Sequence, residues 1–111
     1  RQMCIRDRVM EARGLDVTPG MMKRFEKIGD KATVDVLEII LRDEVGHVEA
    51  GSRWFRYLCE QRGLDPENTY FRLLREHFPG SVRCPLHKAA RLEAGFSAAE
   101  IGRLEAMCKD Q

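Results

Sequence analysis

Residues 42–55 read RDEVGHVEAGSRWF, in the middle of a longer stretch whose apolar residues keep helical spacing. From position 34 the seam runs Val34, Leu37, Leu41, Glu44, Val48, Gly51, Phe55 and Leu58, in alternating steps of three and four. That spacing is the buried stripe of a helix in a bundle. Two positions interrupt it: Glu44 puts a carboxylate on the stripe, and Gly51 leaves room one heptad later. Ile40, His47 and Trp54 form the row that flanks the same face.

A carboxylate on a bundle seam is costly unless something compensates its charge. His47 follows Glu44 by three residues, so the two side chains lie on one side of the helix, about 5–6 Å apart at Cβ. From there one carboxylate oxygen and one imidazole nitrogen can reach a common metal ion. Glu-x-x-His is the pattern of carboxylate-bridged two-metal four-helix bundles, in which two helices each give Glu-x-x-His and the other two each give a Glu. The competing reading is an ion pair between Glu44 and Arg13, Arg42 or Arg53, with His47 at its edge. Glu11, in VMEARGLD, is the third candidate ligand. Chain lengths allow it to lie level with Glu44 on an antiparallel neighbour. Taken alone, Glu11 reads as a surface residue near a helix end.

Working outward, every element reads as helix. Asp30 caps the long helix, which continues to about Arg62 before Gly63, spanning about 48 Å at 1.5 Å per residue. Upstream, Val9–Arg13 reads as a helix tail closed by Gly14. GLDVTP then forms a loop, and Thr18-Pro19 starts a helix that stops at Gly29. Downstream, Asp65-Pro66 opens a helix to Phe78, and Pro85 to Ala94 forms a short helix ended by Gly95. Ser97-Ala-Ala-Glu100 is a capping box for a last helix to about Cys108. No run alternates as a strand does, so the expected class is all-α. Trp54, Phe55, Met10, Met21, Met22 and Met107 are expected in the core, Cys59 as a buried thiol, Tyr57 toward solvent, and Arg13 paired with Asp16 beside the loop.

The bulk numbers agree with one small helical domain: 111 residues, 43% hydrophobic, 33% charged. A net charge of +1 offers no electrostatic argument for a nucleic-acid or acidic-membrane partner. No apolar run approaches the roughly 20 residues that span a bilayer. Cys4, Cys59, Cys84 and Cys108 form no CxxC pair and read as reduced thiols of a cytoplasmic protein. Residues 1–8, RQMCIRDR, look like translated adapter sequence and are set aside as foreign to the fold; without their three Arg and one Asp the net charge becomes −1.

The phrases EARGLDVTPGMMKRFEKIGD (11–30), ILRDEVGHVEAGSRWFRYLCEQRGLDP (40–66) and KAARLEAGFS (88–97) closely resemble a bacterial family of ferritin-like proteins of unknown function, domain of unknown function 455. The resemblance implies a ferritin-like four-helix bundle holding two metal ions, iron or alternatively manganese. In that scheme Glu11 is the lone carboxylate of the third bundle helix, and Glu44 and His47 are ligands on the fourth. Glu44 would bridge the metals, with His47 and Glu11 each on one. The lone Glu and the Glu-x-x-His of the first two helices would lie upstream. Residues 9–63 would then be the second half of the bundle, and 64–111 a helical C-terminal extension. The implied activity is that of a di-iron oxidase or oxygenase of unspecified substrate. The alternative is a non-enzymatic helical interaction protein with weak or no metal binding. A half-bundle exposes its apolar seam, which makes a homodimer the expected partner arrangement. The sequence departs from the family pattern at CPLHKAARLEAGFS (84–97), where Cys84-x-x-His87 with His77 nearby forms a minor zinc candidate lacking a fourth ligand.

Overall fold

A computed structural model describes residues 7–109 of the chain. It is all-α among those residues. A π-helical turn, Asp7–Glu11, runs directly into α1, Ala12–Lys27. The long helix α2 covers Lys31–Gln61, followed by α3, Pro66–His77, the short α4, Lys88–Glu93, and α5, Ala98–Lys109. None of these helices is long and apolar enough to cross a membrane.

The caps lie where local chemistry calls for them. Asp30 accepts the Thr33 N–H at 3.1 Å and opens α2; Asp65 accepts the Asn68 N–H at 2.9 Å and opens α3. Ser97 Oγ accepts the Glu100 N–H at 3.0 Å, while Ser97 N donates to Glu100 Oε1 at 2.9 Å, a complete capping box for α5. Gly29 and Gly63 supply the positive φ, 77° and 66°, that lets the chain leave α1 and α2. Helix α4 starts at Lys88 rather than at the expected Pro85, because the His87 side chain accepts the Ala90 N–H and makes His87 the cap.

The expected loop at residues 14–19 does not form. Helix α1 continues through Gly14 and holds Pro19 in its interior. Val9, Ala12, Leu15 and Thr18 recur every three residues and are all buried. A loop would pull half of that face off α2. Its burial outweighs the roughly 3 kcal/mol that an interior proline costs a helix. The expected seam of α2 is buried at Val34, Val48, Gly51 and Phe55 and half-buried at Leu37, Leu41, Glu44 and Leu58. The flanking row behaves differently: Ile40, His47 and Trp54 are exposed. Trp54 and Met10, expected in the core, are 60% and 56% exposed, because among the described residues no element packs on that side of the α1–α2 pair.

Helices α3–α5 cover the opposite side, and one core joins both parts of the chain. Val9, Leu15, Val48 and Phe55 pack with Tyr70, Phe71, Leu74, Phe96 and Leu104. Tyr70 sits at the centre, edge-on to Phe55, Phe71 and Phe96 with ring centroids 5.2–6.2 Å apart.

Two buried Arg–carboxylate forks tie the beginning of the chain to its end. Arg8 donates to both oxygens of Glu100 at 3.0 and 3.1 Å and to Ser52 Oγ at 2.7 Å. Its guanidinium lies between the rings of Tyr70 and Phe96, 4.6 and 4.2 Å from their centroids. Arg91 grips Asp16 in the same bidentate way, at 2.8 and 2.7 Å. Asp16 therefore belongs mainly to Arg91; Arg13 approaches it only to 4.0 Å. Of the octapeptide set aside above, residues 1–6 lie outside the described residues, but Arg8 is a core residue of this fold. Cys84 and Cys108 are joined as a disulfide, with Cα atoms 5.5 Å apart, because α5 runs back beside the 79–87 loop. This corrects the expectation of reduced thiols for that pair. Cys59 is a free buried thiol, as expected, and Cys4 lies outside the described residues.

Burial by itself would push the Glu100 carboxyl up; the hydrogen bonds and charge of Arg8, with help from the Ser97 N–H and Arg56, hold it below the usual range. A carboxyl held low contributes stability at neutral pH that is lost as pH falls through its lowered value. Glu100→Ala strands a buried guanidinium and is expected to cost about 3–5 kcal/mol in urea unfolding at pH 7. The deficit should shrink as the pH is taken into the acid range. A loss under 1 kcal/mol would mean that Arg8 finds solvent in the folded protein.

Candidate functional site

The site lies on the side of the α1–α2 pair that no other described element covers. The two helices are antiparallel and turn at Gly29. With equal rise per residue, positions equally far from Gly29 stand opposite each other. Glu11 and His47 are such a pair, and so are Gly14 and Glu44. The structure brings Glu11 Oε2 to 3.8 Å from His47 Nδ1, beyond hydrogen-bond length. The Glu44 carboxylate lies against α1 at Gly14. Glu11 thus stands level with His47, and Glu44 one turn further along, facing the gap that Gly14 leaves. The sequence sets Glu11 level with Glu44; the structure instead sets it level with His47, and a continuous helix rather than a loop brings it there.

Glu11 ends the π-helical turn and precedes α1, where a carboxylate could cap the helix. It makes no such hydrogen bond. π-Helical turns recur at functional sites because they redirect side chains out of the regular α-helical pattern. Glu11 Oε2 and Glu44 Oε2 are both buried and have no hydrogen-bond partner among the described residues. Unsatisfied buried carboxylate oxygens are uncommon in native proteins and cost stability. Desolvation, followed by repulsion from Glu11, pushes the Glu44 carboxyl above its usual range, and the nearby His47 only partly offsets this.

The ion-pair alternative for Glu44 is not what the arginines do. Arg13 donates to the Arg83 carbonyl at 3.0 Å, and Arg53 to Glu49 at 2.9 Å. Arg42 points to solvent. The site is therefore a pair of carboxylates and an imidazole with unfilled acceptor capacity. Hard oxygen donors with one imidazole suit Fe(II) or Mn(II), and two buried oxygens without a hydrogen-bond partner among the described residues are compatible with a cation. The fit is partial: among the described residues no group of three His, Cys, Asp or Glu side chains converges closely enough to hold a metal ion. His47 is 71% exposed at its side chain and turned outward.

The remaining candidates disperse. Cys84 is bonded to Cys108, His87 caps α4, and His77 sits beside Glu76 at the end of α3, so the zinc candidate is not assembled. Tyr57 faces solvent, edge-on to Trp54 at 5.8 Å. Sequence reasoning missed Gly14, taken as a helix terminator, although its distance from Gly29 matches that of Glu44.

Three comparisons bear on this chain. The profile of the family described as "Protein of unknown function (DUF455)" matches residues 1–102. An "Uncharacterized protein" of Haemophilus influenzae (strain ATCC 51907 / DSM 11121 / KW20 / Rd) is 39% identical over 100 residues, covering 90% of this chain and 35% of the relative. The chain therefore spans about a third of the length of the curated relative it matches. No solved structure matches.

A raised Glu44 pKa means that the folded protein favours the protonated acid. This contribution is present below the usual glutamate range and is lost as pH rises through the raised value. Glu44→Gln, neutral throughout, should flatten that part of the stability–pH profile. Without metal at pH 7 it should raise Tm by about 2–4 °C, a modest gain because solvent screens a half-buried group. A lower Tm for Glu44→Gln at pH 7 would mean that the carboxylate has a stabilising cationic partner.

Proposed function

The chain belongs to the family described as Protein of unknown function (DUF455), and from its α1–α2 site we propose that it is ferritin-like and carries part of a two-metal carboxylate centre. The observation that carries this reading is the pair of buried, partnerless oxygens, Glu11 Oε2 and Glu44 Oε2, on one face with His47. Iron is the metal this donor set favours in the ferritin-like scheme, with manganese as the alternative. When bound, such a metal pair supplies oxygen-activating redox chemistry, which makes a di-iron oxidase or oxygenase the class of activity; the substrate is not specified by these residues.

Each residue has a definite task in this reading. Glu44, midway along α2 with its carboxylate against Gly14, would be one of the carboxylates that hold the metal. His47, one turn further along α2, would offer an imidazole nitrogen. Glu11 would offer a carboxylate from the π-helical turn just before α1. Val48, buried beside Glu44, keeps water from the inner side of the site. A bound cation would offset the repulsion from Glu11 that helps raise the Glu44 carboxyl. Three ligands make up about half of a two-metal set. The other ligands would come from helices packed on the uncovered face, either from a longer chain or from a second copy.

A second reading rests on a separate observation. Val36, Ile39, Ile40, Trp54 and Tyr57 expose apolar surface along α2. They favour a helical interaction protein that binds metal weakly or not at all.

Manganese titration separates the two. The full chain should bind Mn(II) saturably. Glu44→Ala and His47→Ala should each weaken binding by at least tenfold, a loss that even outer-sphere partners of a metal site can produce. Equal, non-saturable binding by wild type and both variants would overturn the metal reading and leave the interaction protein.

A further inference from the structure

Gly14 lies inside α1 with ordinary helical backbone. The glycines with positive φ are Gly29, Gly63, Gly80 and Gly95, so conformation does not explain a glycine at 14. Glycine also weakens a helix interior relative to alanine. What distinguishes Gly14 is its neighbour. A β-carbon built there would stand 2.6 Å from Glu44 Cδ and 2.8 Å from Oε1, and closer still to Oε2. At Gly20, Gly46 and Gly102, which are also helical, it would meet nothing within 4 Å. The three nearest atoms at Gly14 all belong to the carboxylate head, and none to the α2 backbone. The first obstacle to a side chain at position 14 is therefore the Glu44 carboxylate head.

We propose that Gly14 is a positioning residue: its missing side chain leaves a notch in α1 that seats the Glu44 carboxylate at the α1–α2 interface. The head of a glutamate is the flexible end of its side chain. A methyl group at position 14 would move that head and leave the backbone in place. The Glu44 carboxylate would then swing off the face it shares with Glu11 and His47. The importance of this seat for metal binding rests on the two-metal reading; the steric coupling between the two residues does not.

Four chains test it: wild type, Gly14→Ala, Glu44→Ala and the double variant. Metal-free, Gly14→Ala should raise Tm by about 4 °C in the Glu44→Ala background, the gain expected from helix propensity alone. In the wild-type background that gain should vanish or reverse. With Mn(II), Gly14→Ala should weaken binding about 10–100-fold, the cost of disturbing a ligand's support. Against Glu44→Asp, whose head is drawn back by one methylene, Gly14→Ala should cost much less. An equal Tm rise in both backgrounds overturns the proposal, whatever happens to the metal. Absence of Mn(II) binding by the wild-type chain overturns the two-metal reading, and unequal Tm shifts would still establish the seat.

Discussion

Two antiparallel helices that turn at Gly29 fix which residues of this protein face each other. Once α1 and α2 run unbroken from that turn, rise per residue alone sets Glu11 opposite His47 and Gly14 opposite Glu44. Unbroken helices require α1 to run through Gly14 and Pro19. It does so because Val9, Ala12, Leu15 and Thr18 are buried only if the helix continues. The Arg8–Glu100 and Arg91–Asp16 forks then lock this pair to α4 and α5 from the opposite side. The uncovered face is thus held by a rigid scaffold without being buried by it.

The treatment of charge differs sharply between the two faces. On the packed side each buried ion has a full set of partners. Arg8 has Glu100, Ser52 and two aromatic rings, and Asp16 has Arg91 and the His87 N–H. On the other side two carboxylates approach each other, and among the described residues no cation is supplied beyond a long contact to an imidazole. A fold that neutralises its ions so completely in one place and leaves them unpaired in another has the pattern expected where local stability is given up for function. Electrostatics favours either protonation or a bound cation there, and the donor types favour the cation.

Much of this was legible in the sequence because it is local. The caps at Asp30, Asp65 and Ser97 depend on residues three apart and appear as read; the α2 seam rests on a single periodicity and is fully buried at half of its positions. Glu11, Glu44 and His47 could be grouped because two share a helix and the third is a hairpin away. The failures are long-range. Arg8 finds its partner 92 residues downstream, so nothing nearby marks it as a core residue. Gly14 and Pro19 have the local signature of a helix break, and tertiary packing overrides it. Trp54 was expected inside because large aromatics usually are. It lies outside because the elements that could cover it are not among α3–α5. The Cys84–Cys108 pairing depends on the path of α5 past a loop, which no spacing encodes.

The most direct test of the central claim is crystallographic. Crystals of the full chain grown with Mn(II) and measured at the manganese absorption edge locate the ion independently of any assumed ligand. The account predicts an anomalous peak at the Glu44 carboxylate, with Glu11 or His47 completing its contacts and the Glu44 head still seated against Gly14. A peak elsewhere, or none while Glu44 pairs with an arginine or lysine, would contradict it.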